Sequence, residues 1–440
     1  MADEPRCRVS IAANGMPTVC VATAAGRERW LHSQRDPAAE GERLAATVPA
    51  DAPAVLVAGL GLGYHAAALR RRLPRAELFI IEPVRELIAL AGRHGVFTAD
   101  PATTFLSGAE AELVAALARL APRLEQRAAV LIHVPSLELL RATHPRVAPL
   151  LDVIRMQRNT VARQDGVVPE NLAGNRALAE TDPDYPVLAP RLANRMPVLV
   201  AAGPTLDLVR PLLRQHRDRL AIAAVDTALA ALAADGMEPD LVVAVDPYPA
   251  NVRHFLAMGE TCVLVYSPAV DPAIPRLFPA GRRAVVLPRA HRDEPALRDW
   301  WGDRPVINGG STVAVAALEL LQRLGRPGPL LIAGCDFGFP FGSVYARGTR
   351  FHRQASAAAG RFATVENANR RAVQAQPLVP AVNAAGAAVA THTAYFSFRT
   401  ECEACLARDA RFRYIQVEGH GLAMRGVEHM TMRQAQELLA

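Results

Sequence analysis

Short runs of apolar residues recur along the chain, and each ends at a small or acidic residue. The clearest runs lie at 54–58, 77–81, 198–202, 241–245 and 330–333, and they are largely continuous rather than alternating. Continuous runs of this length are typical of strands that are buried on both faces of a parallel sheet. Because segments with helical spacing separate the strands, the pattern predicts an α/β fold of doubly wound sheets.

The pattern predicts four successive parts. These are a small β cap with a Rossmann-like domain, a helical connector, a doubly wound central domain and a C-terminal extension that packs on the central domain. Within the cap, positions 6–32 alternate around the turns Asn14-Gly15 and Ala25-Gly26, which predicts small antiparallel strands. The bounds of the four parts are 1–135, 136–195, 196–372 and 373–440.

The amino-acid composition of the chain excludes several classes of function. The formal net charge of this 440-residue chain is +6, and every basic residue is an arginine. Without lysine the chain has no Walker-type phosphate loop, pyridoxal Schiff base or lysine nucleophile. The arginines are scattered, and aromatic residues make up 5% of the chain without the interleaving that stacks nucleic-acid bases. A nucleic-acid-binding role is therefore not expected.

The cysteines and the apolar runs bear on the cellular compartment of the protein. The cysteines are spread along the chain, and no apolar run approaches the roughly 20 residues that span a bilayer. The first residues are polar and charged, so we see no signal peptide. We therefore expect reduced thiols, a cytoplasmic protein and no membrane span. Cys402 and Cys405 are a lone pair, and we expect buried structural thiols there rather than a zinc or redox site.

A glycine-rich turn follows the first strand of the Rossmann-like domain. Gly59, Gly61 and Gly63 precede an arginine-rich helix, and the next strand ends at Glu82, 23 residues after Gly59. This order is typical of dinucleotide and S-adenosylmethionine sites, in which the acidic residue binds ribose hydroxyls. These four residues are therefore candidate cofactor ligands. The alternative is that the glycines only let the helix pack close to the strand, and we favour it because no methyltransferase motif follows.

The central domain begins with an apolar run that ends in a second glycine turn, Gly203-Pro204-Thr205. Gly203 permits close approach of a ligand to the backbone, and Thr205 and Asp207 are residues that commonly begin helices. Free N–H groups and the positive end of the helix would face an anionic ligand there. The pattern therefore predicts the floor of a nucleotide site.

Three further strands of this domain end at polar residues. Asp226 follows one strand, Asp246 follows the next with Asn251 five residues on, and Ser267 follows the third. The carboxyl ends of parallel strands meet at one edge, so these side chains are candidates for binding a ribose, a metal or a base edge. For each aspartate taken alone, helix capping is an equally good explanation.

A second anion-binding turn is predicted at Asn308-Gly309-Gly310-Ser311, before a helix from Val315 to Leu324. Two glycines and the hydroxyls of Ser311 and Thr312 at a helix start would leave backbone N–H groups pointing outward towards an anion. In the connector, Asn171 and Asn175 share one helix face and could reach into a cleft, although such a pair is more often solvated.

Taken together, these blocks resemble the motility accessory factor family of bacterial flagellin glycosyltransferases. The family also carries a glycine-rich element like 59–82 and a terminal block like 419–429, so the resemblance covers nearly all of the chain. It implies a sialyltransferase-like central fold. The blocks that carry the resemblance are 202–207, 224–229, 239–247, 309–311 and 334–336.

The resemblance implies transfer of a nonulosonic acid, of pseudaminic or legionaminic type, from its CMP donor to Ser or Thr of flagellin. The archaeal 6-hydroxymethylpterin diphosphokinases have a similar central core. They imply an alternative in which ATP is the donor and Asp226 or Asp246 holds Mg²⁺. A non-catalytic partner protein of the flagellar system is the third hypothesis.

Under the transferase hypothesis, Gly203 and the turn 309–311 hold the phosphate and sugar of the donor, while Asp226, Asp246 and Asn251 contact the nucleoside. A general base must then take the proton of the acceptor hydroxyl. The candidate catalytic residues are Asp336, Tyr345 and His352.

The chain departs from the family at the residue expected to be the base. The family commonly has a histidine after the Gly-x-Asp strand end, and aligning Asp336 puts Tyr345 at that position. Tyrosine, with a pKa of about 10, is a poor base but a good donor to phosphate. His352 is the substitute base if its loop folds back over the site, and loss of activity is the alternative.

Overall fold

The structure is a computed structural model in which the chain divides into two compact units, residues 1–160 and 161–440. We call them the N-terminal and C-terminal units. The division falls inside the predicted connector of 136–195, whose bounds remain a prediction. The described residues are 6–22, 28–113, 115–117, 120, 128–144, 147, 151, 166–257, 259–292, 294–297, 299–361, 363–376 and 378–440.

The N-terminal unit begins with a small antiparallel sheet, as the alternating positions predicted. Asn14 and Gly15 lie in the connection between its first two strands, whereas the predicted turn Ala25-Gly26 lies outside the described residues. The strands pair in the order β1-β2-β3. They are β1 (Arg6–Ile11), β2 (Pro17–Ala22) and β3 (Glu28–Trp30).

A parallel sheet with the order β6-β5-β4-β7 forms the rest of this unit and confirms the Rossmann-like prediction. Val55 and Val57 pack in one apolar cluster and Leu56 and Ala58 in another, so helices cover both faces of the sheet. The strands are β4 (Ala54–Ala58), β5 (Glu77–Ile81), β6 (Thr103–Leu106) and β7 (Ala128–Ile132). The helices are α1 (Pro37–Ala46), α2 (Tyr64–Arg72), α3 (Arg85–Arg93) and α4 (Val134–Thr143).

The C-terminal unit is built on an eight-stranded sheet in which every pairing is parallel. Its order is β12-β11-β10-β9-β8-β15-β18-β19, which confirms the predicted doubly wound sheet. Because β18 and β19 come from the last 30 residues, the predicted C-terminal extension supplies strands to the central sheet instead of only packing on it. The strands are β8 (Met196–Val200), β9 (Leu220–Val225), β10 (Leu241–Ala244), β11 (Val263–Tyr266), β12 (Arg283–Val285), β15 (Gly328–Ala333), β18 (Phe412–Val417) and β19 (Val427–Met430).

Helices cover both faces of this sheet, and two short ladders flank it. None of the helices in the described part of the chain has the length and apolar character needed to cross a bilayer. The ladders are β13 (Leu287–Pro288) with β14 (Val306–Ile307), and β16 (Leu378–Val382) with β17 (Ala388–His392). The α-helices are α5 (Val167–Thr181), α6 (Ala189–Leu192), α7 (Leu206–Gln215), α8 (Leu229–Ala234), α9 (Ala273–Arg276), α10 (Val313–Leu324), α11 (Arg350–Ala357), α12 (Val365–Gln374), α13 (Thr393–Ala407) and α14 (Met432–Leu439).

The core of the C-terminal unit follows the two faces of its sheet. Val243 belongs to one buried cluster, while its neighbours Val242 and Ala244 belong to the other. Cys402 and Cys405 of α13 are buried free thiols in the first of these clusters, as predicted. Both faces of the sheet are therefore covered by a packed apolar core. A ligand can reach the sheet at the carboxyl ends of its strands.

Candidate functional site

The carboxyl ends of the C-terminal sheet bring the predicted site residues to one edge. The strand order reverses between β8 and β15, and the turn at Gly203 follows β8 while Asp336 follows β15. Asp226 and Asp246 follow the neighbouring strands β9 and β10. Such a reversal is where open α/β sheets bind ligands, because the loops on its two sides diverge.

The turn at Gly203 is closed by Asp336. The Asp336 carboxylate accepts a hydrogen bond from Thr205 N at 2.9 Å and another from the Thr205 hydroxyl. A Cβ on Gly203 would collide with this carboxylate, which explains the glycine, and Pro204 beside it is buried. The expectation that the Thr205 N–H is free is therefore wrong: a buried carboxylate of the chain already lies at the helix start.

Burial raises the pKa of Asp336 to about 6, although its hydrogen bonds from Thr205 favour the charged form. The side chain is only 3% exposed. This geometry suits a residue that fixes the turn. The catalytic role of Asp336 remains a prediction.

The second predicted anion site is also occupied by carboxylates. Asn308 N and Gly309 N donate to Glu319 Oε2 at 2.9 and 3.2 Å. Ser311 donates to Glu401 through its hydroxyl and through its backbone N–H, the latter at 2.7 Å. The expectation that these N–H groups point outward is therefore wrong. The binding of a donor at Asn308, Gly309, Gly310 and Ser311 remains a prediction.

Asp226 and Asp246 form an interacting pair of acids. Asp226 is 6% exposed and accepts a hydrogen bond from Thr227 N at 2.7 Å. Burial raises the pKa of Asp226 to about 7, and the negative charge of Asp246 adds to the shift. Asp226 can therefore hold or release a proton near neutral pH.

Asp246 differs from Asp226 because one of its hydrogen-bond donors is a side chain. Burial raises the pKa of Asp246, but the Asn251 side chain and the Tyr248 N–H both stabilise its charged form. Asp246 and Asn251 thus meet at the strand end, where the sequence placed them both. The pair has the carboxylate and amide needed to contact a ribose or a base edge.

Hydrogen bonds hold the loop that carries Tyr345 against this edge of the sheet. Ala346 N donates to the Ala202 carbonyl at 2.9 Å, and Arg347 N donates to Asp207 Oδ1 at 3.0 Å. On its other side, Val344 N donates to the buried Asn369 Oδ1 at 3.0 Å. These bonds fix the Tyr345 backbone to the turn after β8.

The Tyr345 hydroxyl lies in a polar group with Tyr395 and Asp226. Burial raises the pKa of Tyr345, a hydrogen bond donated by Tyr395 lowers it, and the charge of Asp226 raises it. Tyr345 therefore stays a neutral donor at physiological pH. Tyr395 is a functional candidate that the sequence analysis missed, because only the fold brings α13 to this loop.

His352 is not in a loop. It lies in the first turn of α11, where its N–H donates to the capping Thr349 hydroxyl at 3.4 Å and its Nδ1 accepts from Gly348 N at 3.5 Å. No contact of His352 with Asp226 or Asp246 is observed in the described part of the chain, and its role as base remains a prediction.

Arg350, two residues before His352, is a further candidate that the sequence analysis missed. Its Nε is buried and has no hydrogen-bond partner among the described residues. Burial lowers the pKa of His254, and the charges of Arg253 and Arg350 lower it further, so these basic groups lie close together. His254 belongs to the 3₁₀ segment Pro249–Ala257, which also carries Asn251.

Asn171 and Asn175 of α5 hold the loops behind the acidic pair. Asn171 Nδ2 donates to the carbonyls of Pro247 and Ala269 at 2.9 and 2.8 Å. Asn175 Nδ2 donates to the carbonyls of Pro268 and Val270 at 2.8 and 2.7 Å. The expectation that this pair is solvated is therefore wrong: both side chains are buried and position the strand ends.

Ser267 lies inside the same loop. It is fully buried, and its Oγ accepts from Ala269 N at 3.2 Å. The contact makes Ser267 a turn-forming residue, and its contact with a nucleotide remains a prediction.

The N-terminal glycine turn is closed by its own unit. Glu82 is 1% exposed, and it accepts hydrogen bonds from the N–H groups of Leu60 and Gly61, at 2.9 and 3.3 Å, and of Val84, at 3.1 Å. A Cβ on Gly59 would collide with Ser136.

The other two glycines are equally crowded. A Cβ on Gly61 would collide with His32, and one on Gly63 would collide with Phe97. All three glycines also have a positive φ, at +89°, +55° and +88° for Gly59, Gly61 and Gly63. This geometry favours the packing alternative, and cofactor binding by the turn remains a prediction.

The described residues contain one cluster of candidate metal ligands, and it belongs to the N-terminal unit rather than to the unit of the acidic pair. Among the described residues, the one group of three or more side chains placed to hold a metal ion is His32, His65 and His133, and it does not include Asp226 or Asp246. Binding of Mg²⁺ by Asp226 and Asp246 remains a prediction.

Comparison with known families bears on the same region. Residues 175–342 match the family described as 6-hydroxymethylpterin diphosphokinase MptE-like. The matched stretch contains the Gly203 turn, Asp226, Asp246, the turn 308–311 and Asp336. The match confirms the predicted likeness of the central part of the chain to this family.

Two further proteins are similar to larger parts of the chain. An uncharacterized protein of Treponema pallidum (strain Nichols) is 25% identical over 207 residues, which is 46% of this chain and 36% of that protein. The chain thus spans about a third of the length of this relative. A solved structure, the MAf glycosyltransferase from Magnetospirillum magneticum AMB-1, covers 97% of this chain and 71% of its own at 16% identity and a TM-score of 0.47.

Proposed function

We propose that the C-terminal unit is a glycosyltransferase that moves a nonulosonic acid from a CMP donor to a Ser or Thr hydroxyl of flagellin. One observation carries the proposal: a buried aspartate with a pKa of about 7 lies beside a second carboxylate and a phenol at the open edge of the sheet. The choice of sugar donor and protein acceptor comes from the motif resemblance.

In this proposal Asp226 is the general base. An acceptor hydroxyl attacks the anomeric carbon and passes its proton to the Asp226 carboxylate as the new C–O bond forms. A base whose pKa lies close to the operating pH combines a large charged fraction with useful basicity. Asp226 meets this condition better than Tyr345, whose pKa burial raises further from neutral.

The leaving group is the CMP phosphate. As its bond to the anomeric carbon breaks, the sugar passes through an oxocarbenium-like state and negative charge develops on the phosphate. We assign the Tyr345 hydroxyl and the Arg350 guanidinium as donors to this phosphate, and Asp246 with Asn251 as contacts of the nucleoside. The absence of a partner for Arg350 Nε among the described residues supports this role.

The two closed turns limit where phosphate can bind. A phosphate at Thr205 or at Ser311 has to displace the carboxylate of Asp336 or Glu401 from the same N–H groups. The proposal therefore places the phosphate nearer Tyr345 and Arg350 than the sequence analysis did.

The MptE-like match favours a second candidate. In a diphosphokinase, Mg²⁺ bound to Asp226 and Asp246 would orient ATP, and a pyrophosphoryl group would pass to the hydroxyl of a pterin with release of AMP. This hypothesis predicts that Mg²⁺ removal abolishes turnover. A non-catalytic flagellar partner is the third candidate and predicts binding of nucleotide without turnover.

The deciding experiment offers the full chain each pair of substrates. With a CMP-activated nonulosonic acid and flagellin, we expect release of CMP and a matching mass increase of flagellin. The rate should rise with pH to a plateau, with a midpoint near the Asp226 pKa of about 7. AMP formation from ATP, Mg²⁺ and 6-hydroxymethylpterin, without CMP release, would replace the proposal with the second candidate.

A further inference from the structure

We propose that the N-terminal unit holds a transition-metal ion, most suitably Zn²⁺, on His32, His65 and His133. The three histidines come from separate parts of the chain: His32 follows β3, His65 lies in α2, and His133 directly follows β7. One ring nitrogen of each lies within 4.8 Å of those of the other two. All three side chains are buried, with exposures of 3%, 0% and 0%.

The hydrogen bonds of His65 prepare one nitrogen for a ligand. His65 Nε2 lies 2.8 Å from the Gly59 carbonyl, which can only accept, so the proton is on Nε2. His65 Nδ1 then carries a lone pair, and it has no partner among the described residues. A metal-bound histidine commonly donates its other ring N–H to a carbonyl in this way, because the bond fixes the tautomer and the ring orientation.

His133 has the same division between a bonded and an unbonded nitrogen. Its Nδ1 lies 2.8 Å from Ser136 Oγ, while its Nε2 makes no hydrogen bond of acceptable geometry within the described ranges, although the Leu31 carbonyl lies near the ring. Its ring stacks on that of His65, with centroids 4.6 Å apart. Burying two ring nitrogens without hydrogen bonds destabilises the fold, and such atoms are rare in folded proteins. A metal ion bound by both nitrogens would satisfy them.

His32 completes the group and brings a carboxylate with it. Its ring stacks on that of His133 with centroids 4.8 Å apart. Its Nδ1 lies 3.6 Å from Glu40 Oε2, a carboxylate that Ser33 N also holds at 2.8 Å. Its Nε2 accepts from Leu62 N at 2.8 Å, a bond that coordination through Nε2 would replace. Glu40 supplies the negative charge that a histidine-bound cation usually has nearby.

The ligand set selects the type of metal. Three neutral imidazoles suit Zn²⁺ and its neighbours rather than Mg²⁺ or Ca²⁺, which prefer oxygen. Zn–N bonds of about 2.1 Å would bring the ligand nitrogens to about 3.4 Å from one another. The stacked rings therefore move inward and tilt on binding, so that their in-plane lone pairs converge on the ion. The site lies where the strand order reverses between β4 and β7, the position at which such sheets bind ligands.

The test uses the full, tag-free chain after removal of metal with a chelator. We expect it to bind one Zn²⁺, and one Co²⁺ with the visible absorption bands of a nitrogen-ligated ion. Binding should also raise the melting temperature, because the metal binds the folded state. His65→Gln and His133→Gln should each abolish the Co²⁺ bands.

Glu40→Gln keeps the three ligands and tests the positioning role of the carboxylate. We expect it to weaken Zn²⁺ binding about 10- to 100-fold while the Co²⁺ bands persist. His94→Gln is the matched control, because His94 is an exposed histidine of the same unit and should leave binding unchanged.

Failure of the folded wild-type chain to bind Co²⁺ would overturn the proposal even if the buried variants do not fold. Bands of equal strength in wild type and in a folded His65→Gln or His133→Gln variant would overturn it as well. The readouts do not involve turnover, so they stand apart from the proposed transferase activity.

Discussion

The two parallel sheets of this chain close their glycine turns with different acids. In the N-terminal unit, Glu82 at the end of β5 accepts N–H groups from the turn after β4. In the C-terminal unit, the equivalent strand end on β9 carries Asp226, but the acid that closes the turn after β8 is Asp336, from the strand on the other side. Asp226 is thereby left beside Asp246 and Tyr345.

A raised pKa does not by itself mark a functional acid in this chain. Burial raises the pKa of Glu82 and of Asp226 to about 7 in each case. Glu82 accepts backbone N–H groups from the glycine turn after β4 and from Val84, whereas Asp226 faces another carboxylate and a phenol. The first environment fixes a loop, and the second suits proton transfer.

The largest effect expected from this contrast is on turnover. Asp226→Asn keeps the size of the side chain and removes its basicity, so the transfer rate should fall about 100- to 10,000-fold. Asp218→Asn is the matched control, because Asp218 is exposed and precedes β9, at the opposite edge of the sheet. Turnover of the Asp226→Asn variant within a few-fold of wild type would remove Asp226 from the mechanism.

The N-terminal acid should behave in the opposite way. Glu82→Ala leaves the N–H groups of Leu60, Gly61 and Val84 buried without their acceptor, which should lower the free energy of unfolding of the N-terminal unit by about 3–5 kcal/mol. Chemical denaturation measures the loss. Transfer by the folded variant should match wild type, and a selective loss of turnover instead would show that this turn binds a ligand of the reaction.

The charge of Asp226 should also cost stability at neutral pH. Because its folded pKa of about 7 lies above the ordinary value of 3.8, the folded state binds more protons than the unfolded state between those pH values. The free energy of unfolding therefore falls as pH rises through this window. Asp226→Asn should be more stable than wild type at pH 8 by about 2–4 kcal/mol, and the gain should vanish near pH 4.

Urea denaturation of both proteins at the two pH values measures this difference. Asp336 has a shift of the same sign, but it is present in both proteins and cancels. An equal difference at both pH values would contradict the assigned shift.

A smaller effect is expected from the residues that hold the acidic pair. Asn171→Ala leaves the Pro247 and Ala269 carbonyls without their donor and should cost about 1–3 kcal/mol of stability. Since Pro247 adjoins Asp246, the substitution should also lower the affinity for nucleotide. Asn194→Ala, at an exposed position, is the control. A lower free energy of unfolding with unchanged nucleotide affinity would show that the Asn171 hydrogen bonds stabilise the fold without affecting the site.

The smallest effect is expected at Tyr345. Tyr345→Phe removes one donor to the leaving phosphate and one partner of Tyr395, so turnover should fall about 10-fold, in line with one hydrogen bond. Steady-state kinetics with the CMP donor measures it. A loss comparable to that of Asp226→Asn would make Tyr345, rather than Asp226, the group on which proton transfer depends.

The sheets and the strand-end residues could be predicted from local sequence alone. Continuous apolar runs predicted β4, β8 and β10, and parallel pairing then placed Asp226 and Asp246 at one edge. The Asp246–Asn251 contact is also local, because the two residues are only five positions apart in the sequence.

The partners of the glycine turns could not be predicted in this way. Asp336 lies 131 residues from Thr205, and Glu401 lies 90 residues from Ser311. A turn whose sequence predicts an anion site can bind any acidic side chain that the fold brings close to it. The spacing of residues in the sequence does not predict such a contact. The same holds for Tyr395 and for the histidine group, whose members come from distant segments.

Hydrogen exchange of the full chain with and without CMP tests the contrast between the two sheets most directly. We expect slower exchange at the backbone N–H groups of Thr227, Tyr248 and Asn251 when CMP is bound, with no change across 59–65. Protection across 59–65 with none near Asp226 and Asp246 would instead place the nucleotide in the N-terminal unit.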